Sequence, residues 1–268
     1  MTAVLATERR RRILEQVRAH GDVSLRELAQ SVLASEVTVR RDLRALEEQG
    51  LLDRRRGGAV TLPAADQATG GERPEQAAEK SAIARLAATL VAEGDVVALG
   101  AGTTTQHLAA ALVGVRALTV VTNSLLVGEA LSQSTDATVL ITGGALRGST
   151  YGLVGRGAEE TFADLRVRRA FLSGDGVSST WGLSTTSSDQ AGVDRMITES
   201  AQELVVLADH TKLGHESAFQ TVPPDRITHL VTDELADPAL LAAFVAAGLQ
   251  VHVAPLEGDA LARSEGPR

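Results

Sequence analysis

Apolar positions follow a helical period through the first fifty residues and change to strand-like runs afterwards. Ile13, Leu14 and Val17 share one helix face, opened by Thr7 as a possible N-cap and closed by Gly21. In "DVSLRELAQSV", Leu25, Leu28 and Ala29 form a second stripe, with Ser24 as N-cap and Glu27 three residues later, the spacing of a capping box. A third helix is expected from near Ser35, with Val39, Leu43 and Leu46 facing inward and Gly50 ending it. The segment "LLDRRRGGAVTL" then predicts two short strands around a basic glycine turn.

Three short helices and a basic hairpin make a winged helix-turn-helix. With Val39, Leu43 and Leu46 inward, Thr38, Arg40, Arg41 and Arg44 fall on the other faces of the third helix. The N-terminal half of such a helix presents side chains to the major groove, where an exposed Arg binds guanine bidentately or pairs with phosphate. Arg54, Arg55 and Arg56 on the wing are expected to meet backbone or minor groove. Ser24 and Ser35, at the starts of the second and third helices, complete the expected DNA-facing set.

Beyond the hairpin, "TLPAADQATGGERPEQAAEK" has no sustained apolar period and reads as a hinge. From there apolar runs alternate with Ala-rich helical segments. The runs are "DVVALG", "ALTVVTN", "ATVLITGG", "RAFLSG", "ELVVLAD", "THLVTD" and "LQVHVA". Near-continuous apolar strands alternating with helices predict a mainly parallel, doubly wound α/β sheet covered on both faces. The chain therefore divides into a head at 1–60, a linker at 61–79, an α/β body at 80–256 and a disordered tail at 257–268.

Charge sharpens this division. Residues 1–60 carry 12 Arg against 9 Asp and Glu, whereas the remainder carries 14 basic against 25 acidic groups. A basic head on an acidic body suits a polyanion-binding module joined to one that polyanions avoid. Cys is absent, which excludes disulfides, zinc–thiolate sites and thiol nucleophiles. The N-terminal segment lacks a long apolar core and no run of 18 apolar residues occurs, so a cytoplasmic protein with no membrane partner is expected.

In parallel sheets, ligands bind beyond the carboxyl ends of the strands. "LGAGTTT" places Gly100, Gly102, Thr103, Thr104 and Thr105 before a helix, where backbone N–H groups and the helix dipole make an anion site. Asn123 and Ser124, Gly143 and Gly144, Asp175, and Asp209 with Lys212 stand at four further strand ends. Lys212 is one of only two lysines beside 24 arginines, and a compact ammonium suits a phosphate or hydroxyl. Any one of these glycine turns is ordinary turn chemistry; five on one edge suggest a site.

These motifs in order, "VSLRELAQSV", "SEVTVRRDLRALEEQGLLDRRRGGAV", "AGTTT", "VVTNSL" and "LADHTKLG", resemble DeoR-type bacterial transcriptional regulators. The resemblance implies a winged helix-turn-helix head and a ribose-5-phosphate-isomerase-like body that senses phosphorylated sugars or related metabolites. It implies that Gly102 to Thr105 hold phosphate while Asn123, Gly143, Gly144, Asp175 and Lys212 line the rest. Four positions depart from the family pattern. Leu33 stands for a usual Gly, Arg56 for a usual His, Gly100 for a frequent Asp, and Asp194–Arg195 where a Lys is usual.

The expected protein is thus a repressor of a double-stranded DNA operator, acting as a homo-oligomer (dimer or tetramer), with no cofactor and no metal. The alternative is a sugar-phosphate isomerase carrying a DNA-binding domain. Isomerisation needs a carboxylate base and a group that stabilises the enediolate, roles open to Asp175 and Lys212, but "SGDGVSSTWGLST" lacks the second carboxylate that such isomerases typically carry beside the first. "DHTKLGHES" groups Asp209, His210 and His215, but the histidines do not share a helix face, which favours loop polarity over a metal site.

Overall fold

The computed structural model describes residues 9–10, 12–13, 16–17, 22–32, 34–47, 53–55, 58–60, 76–148 and 150–256. In Asp22, Ala45, Glu47 and the strands at 53–55 and 58–60 it describes the backbone alone. Thr7, Leu14, Gly21, Leu33, Gly50, Arg56, residues 61–75 and the tail from Glu257 lie outside the described residues. The chain forms two compact units, Met1–Ala68 and Thr69–Arg268.

In the first unit, the described residues between 9 and 17 are helical, followed by β1 (Asp22–Ser24), α1 (Leu25–Ser31) and α2 (Glu36–Glu47). β2 (Asp53–Arg55) and β3 (Gly58–Val60) form the expected hairpin, and β1 adds to it, giving an antiparallel sheet in the order β1-β3-β2. That third strand is not visible as an apolar alternation, because it is three residues long and runs straight into the helix cap. Ile13, Val17, Leu25, Leu28, Val39, Leu43 and Leu46 converge in one buried core, so the apolar stripes face inward as their spacing requires.

The capping box is present in both directions. The Ser24 N–H donates to Glu27 Oε2 at 2.9 Å, and the Glu27 N–H donates to Ser24 Oγ at 3.2 Å. Two orphan amides at the start of α1 are satisfied together.

The second unit opens with α3 (Ala77–Ala88), which begins three residues before the expected start of the body at residue 80. It continues through β4 (Val96–Leu99), α4 (Thr103–Ala111), β5 (Thr119–Thr122), α5 (Leu125–Leu131) and β6 (Thr138–Ile141). A hairpin of β7 (Ala145–Arg147) and β8 (Gly152–Val154) leads to α6 (Arg156–Ala163) and β9 (Val167–Leu172). Then follow β10 (Gly176–Ser178), β11 (Gly182–Thr185), α7 (Ser188–Ser200), β12 (Ala201–Leu207), β13 (Phe219–Val222), β14 (His229–Asp233), α8 (Pro238–Ala246) and β15 (Gln250–Ala254).

All seven apolar runs join one sheet in the order β15-β14-β12-β9-β4-β5-β6, and each neighbouring pair is parallel. Buried residues form separate apolar clusters, one including Phe162, Val193 and Phe244, the other Ile83, Leu108 and Phe171, as expected for a sheet covered on both faces. Two features escaped the sequence pattern: the β7–β8 hairpin and a small antiparallel sheet, β10-β11-β13. Their strands are three or four residues long, too short to show a period of two.

The sheet order fixes where a ligand belongs. The strands run outward from β4 through β5 to β6, then the chain returns to place β9 on the other side of β4. The switch point between β4 and β9 is therefore where a crevice opens at the carboxyl edge.

Candidate functional site

The first candidate surface is α2. The Thr38 N–H donates to Ser35 Oγ at 3.2 Å, and the two hydroxyls lie 2.9 Å apart, so Ser35 and Thr38 hold the helix start. The Ser24 hydroxyl is likewise bonded to Glu27, at 2.7 Å. Arg40, Arg41 and Arg44 are exposed, opposite the buried Val39, Leu43 and Leu46. Arg40 lies 3.8 Å from Glu36 one turn back, a solvated pair that leaves the guanidinium free to exchange partners. Arg54 and Arg55 sit on strand β2, and Arg56 is outside the described residues.

The rigidity of this face comes from Asp42, which is only 2% exposed and accepts from Arg9 Nε at 2.6 Å and Arg10 Nε at 3.0 Å. Burial opposes its charge. The hydrogen bonds and charges of Arg9 and Arg10 outweigh that and hold the carboxyl below its ordinary range. Two residues of the "RRRR" run thus clamp the first helix to the third.

The second candidate surface is the carboxyl edge of the parallel sheet. Gly100 follows β4, donates its N–H to Phe171 O at 2.9 Å and packs so closely on β9 that a Cβ would come 2.5 Å from Leu172 Cδ2. Gly102, two residues on, lies against Ser173 at the end of β9, where a Cβ would stand 2.2 Å from Ser173 Oγ. The absence of a side chain at both glycines lets the loop sit on the switch point itself.

Gly102 is also the N-cap of α4, and it supplies no side-chain cap. The first-turn amides of Thr103, Thr104 and Thr105 have no carbonyl one turn back, so they and the positive end of the helix dipole face the crevice. Thr104 and Thr105 are buried, and the Thr105 hydroxyl donates to Gly102 O at 2.9 Å. Thr105 therefore offers its amide rather than its hydroxyl.

Asn123 at the end of β5 is fully buried; its Nδ2 donates to Leu153 O at 3.0 Å, while Oδ1 has no partner. Ser124 is the N-cap of α5, accepting from the Val127 N–H at 3.3 Å, which makes it structural. At the end of β6, Thr142 is buried with an unpartnered hydroxyl. Gly144 has φ +120 and lies where a Cβ would be 2.6 Å from Val154 O. Gly143 and Gly144 thus let the loop tuck under the β7–β8 hairpin, two strands from β4.

That hairpin brings residues to the site that the sequence did not single out. Gly152 bridges to Ser124, and a Cβ on it would meet Ala101 Cβ at 2.9 Å, Thr150 Oγ1 at 3.2 Å and Gln190 Oε1 at 3.4 Å. Thr150 Oγ1 and Gln190 Oε1 are buried and unpartnered. Tyr151, between them in sequence and in contact through its carbonyl with the Leu125 N–H, holds φ at 51, a conformation that a non-glycine residue adopts at some cost. The signal available in the sequence was "RGSTYGLVG", a glycine-flanked polar turn.

Asp175 after β9 is exposed and accepts through Oδ2 from Thr185 Oγ1 at 3.0 Å, Thr186 N–H at 2.8 Å and Thr186 Oγ1 at 3.0 Å. A second carboxylate, Asp194 on α7, lies near enough for the charge of Asp175 to act on it. Asp194 is 1% exposed, its Oδ1 accepting from Gln190 Nε2 at 2.7 Å. Burial pushes its carboxyl up to about 7; the Gln190 hydrogen bond and Arg195 pull the other way, and the charge of Asp175 adds to the rise. Sequence spacing hid this pair because its members sit nineteen residues apart on different elements.

Lys212 closes a short helical turn, His210–Lys212, after β12, next to β9 in the sheet. Its ammonium makes no hydrogen bond or ion pair among the described residues, whereas Asp209 is buried and bonded to Thr211. His210 is taken up by Asp233, with Nδ1 2.9 Å from Oδ1. Among the described residues no group of three or more His, Asp or Glu could hold a metal, and no helix is long and apolar enough to cross a membrane.

Comparison with known proteins matches both units. A family described as the DeoR-like helix-turn-helix domain covers residues 9–64, and the DeoR C terminal sensor domain covers residues 75–234. The chain is 33% identical over 260 residues to an uncharacterized HTH-type transcriptional regulator, YgbI, of Escherichia coli K12, covering 95% of this chain and all of that protein. It is 32% identical to the HTH-type transcriptional repressor CsqR of the same organism, covering 90% of this chain and 92% of that one. Solved structures align loosely. Ribose 5-phosphate isomerase A of Methanocaldococcus jannaschii is 20% identical, covering 50% of this chain and 52% of that one at a TM-score of 0.37.

Proposed function

The chain belongs to the DeoR family of helix-turn-helix transcriptional regulators, and on that premise we propose that a phosphorylated sugar bound at the β4–β9 switch point controls its hold on DNA. The protein is a DNA-binding regulator with a small-molecule sensor domain, not an enzyme. In this proposal it works in the cytoplasm as a homo-oligomeric repressor, a dimer or tetramer, with paired recognition helices set on half-sites about 34–36 Å apart.

One observation carries the effector assignment. The uncapped start of α4 lies at the switch point, on the edge where Asn123 Oδ1, Thr142 Oγ1, Thr150 Oγ1 and Gln190 Oε1 are buried without partners. Buried polar atoms are normally hydrogen-bonded, so orphans spread along this edge beside an anion hole support a ligand with phosphate at one end and hydroxyls along its length. The body's acidic surface would repel an anion at long range, which leaves the backbone amides and Lys212 as the local donors. Thr103, Thr104 and Thr105 would hold the phosphate, with Asn123, Asp175 and Lys212 toward the sugar.

Releasing DNA about a thousandfold requires roughly 4 kcal/mol of differential affinity between the two states. A screen of phosphorylated sugars by thermal shift, with each hit assayed for turnover, tests the assignment. A stabilising sugar phosphate that is recovered unchanged and weakens operator binding is the expected result. Isomerised product would mean an enzyme.

A further inference from the structure

Val37 is 75% exposed, the most exposed large hydrophobic side chain among the described residues. It stands in the first turn of α2, whereas Val39, Leu43 and Leu46 of the same helix are buried. At 100° per residue, Val37, Arg41 and Arg44 lie within about 60° of one another, and that stripe points directly away from the core residues. Arg40 falls to the side, next to Glu36.

Among the described residues of the head, Val39, Leu43 and Leu46 pack into its core and Val37 does not. A β-branched residue at a solvated helix position is a poorer helix former than alanine or a charged residue. Its χ1 is stiff, so two methyl groups are held in a fixed direction at the end of the helix that enters the major groove. Val has no hydrogen-bonding group, and the one apolar feature on a base edge in that groove is the C5-methyl of thymine. Arg41, one turn on, is about 6 Å farther along the axis and suits guanine O6 and N7.

We infer that Val37 is a specificity-determining residue that reads a thymine methyl in each operator half-site, beside the base contacted by Arg41. The arginines supply affinity and one polar contact; Val37 supplies discrimination against cytosine and against any base lacking the methyl.

The test uses the full-length protein and duplexes selected by it from a randomised library. Thymines enriched in each half-site are then replaced singly by deoxyuridine, which removes the methyl and leaves every hydrogen-bonding group in place. A single replacement should weaken binding about fourfold, the worth of one buried methyl. Val37→Ala, which keeps or improves helix propensity, should bind thymine and deoxyuridine duplexes alike, with an unchanged salt dependence and circular dichroism spectrum. The assignment is overturned if no thymine is enriched, if no deoxyuridine replacement weakens binding, or if wild type and Val37→Ala lose the same factor.

Discussion

Asp42 in the head and Asp194 in the body are equally buried, at 2% and 1% exposure, yet they sit in opposite environments. Asp42 receives two guanidinium groups, and its charge locks helix to helix. Asp194 receives one amide from Gln190 and faces the field of a second carboxylate, so its charged form is disfavoured near neutrality. The contrast separates a unit built to hold a surface rigid from one that keeps an unfavourable group near its proposed ligand edge. Perturbed carboxyls of the second kind gather at functional sites, where stability is traded for interaction with a ligand.

The two carboxyls should respond to pH in opposite directions. A carboxyl raised in the folded state destabilises as pH climbs from its unfolded pKa, about 3.9, to its folded one. The body should therefore lose about 3 kcal/mol between pH 4 and pH 7 through Asp194, whose folded value is about 7. Asp194→Asn keeps the Gln190 hydrogen bond and should abolish that loss, so denaturant melts at pH 8 should find the variant more stable than wild type. Equal pH dependence in the two proteins would remove Asp194 from the account.

Asp42 carries the opposite sign: its stabilisation is present above about pH 4 and disappears as pH falls through its lowered folded value. Asp42→Ala leaves two guanidinium groups without their shared partner and should cost the head roughly 3 kcal/mol. Hydrogen exchange, followed separately in the two units, would show protection lost in α1 and α2 and retained around the parallel sheet.

Smaller effects separate the two recognition modes. Arg41→Ala should lower specific DNA affinity by roughly 1–3 kcal/mol in gel-shift titrations at fixed salt, while sugar-phosphate stabilisation of the body stays the same. A change in the effector response would mean the two functions are not divided as drawn. Ser24→Ala removes the capping box and should cost about 1 kcal/mol of stability in the head, measured at neutral pH.

How far each unit was legible in the sequence follows from the same contrast. The head's proposed DNA-facing side chains lie mostly on one helix, and the stripe Val39, Leu43, Leu46 fixes by itself which residues face out. Ser24 and Glu27 are three residues apart, so their reciprocal bonds are a local fact that spacing alone reveals. The seven sheet strands were visible too, because strands buried on both faces read as continuous apolar runs. The body's site is made by chain segments far apart in sequence. The approach of Gly102 to Ser173, the hairpin that brings Thr150 and Tyr151 to β5, and the arrival of Asp194 from α7 depend on strand order. Backbone amides carry no sequence signature beyond the glycine that uncovers them, which is why "AGTTT" by itself could not distinguish a sensor from an enzyme.

If the bare N-terminus of α4 holds the effector's phosphate, Gly102→Asp should abolish the response to the effector. An aspartate N-cap would satisfy the free amides from within and set a negative charge where the phosphate should lie, while supporting the helix itself. Ser173 Oγ must rotate aside to admit the new side chain. Operator binding followed by fluorescence anisotropy, with the sugar phosphate that stabilises the wild-type protein titrated in, should show release of DNA from wild type. The variant should hold the operator with wild-type affinity and give no release at a hundred times the wild-type midpoint. Release from Gly102→Asp at the same midpoint as wild type would contradict the account.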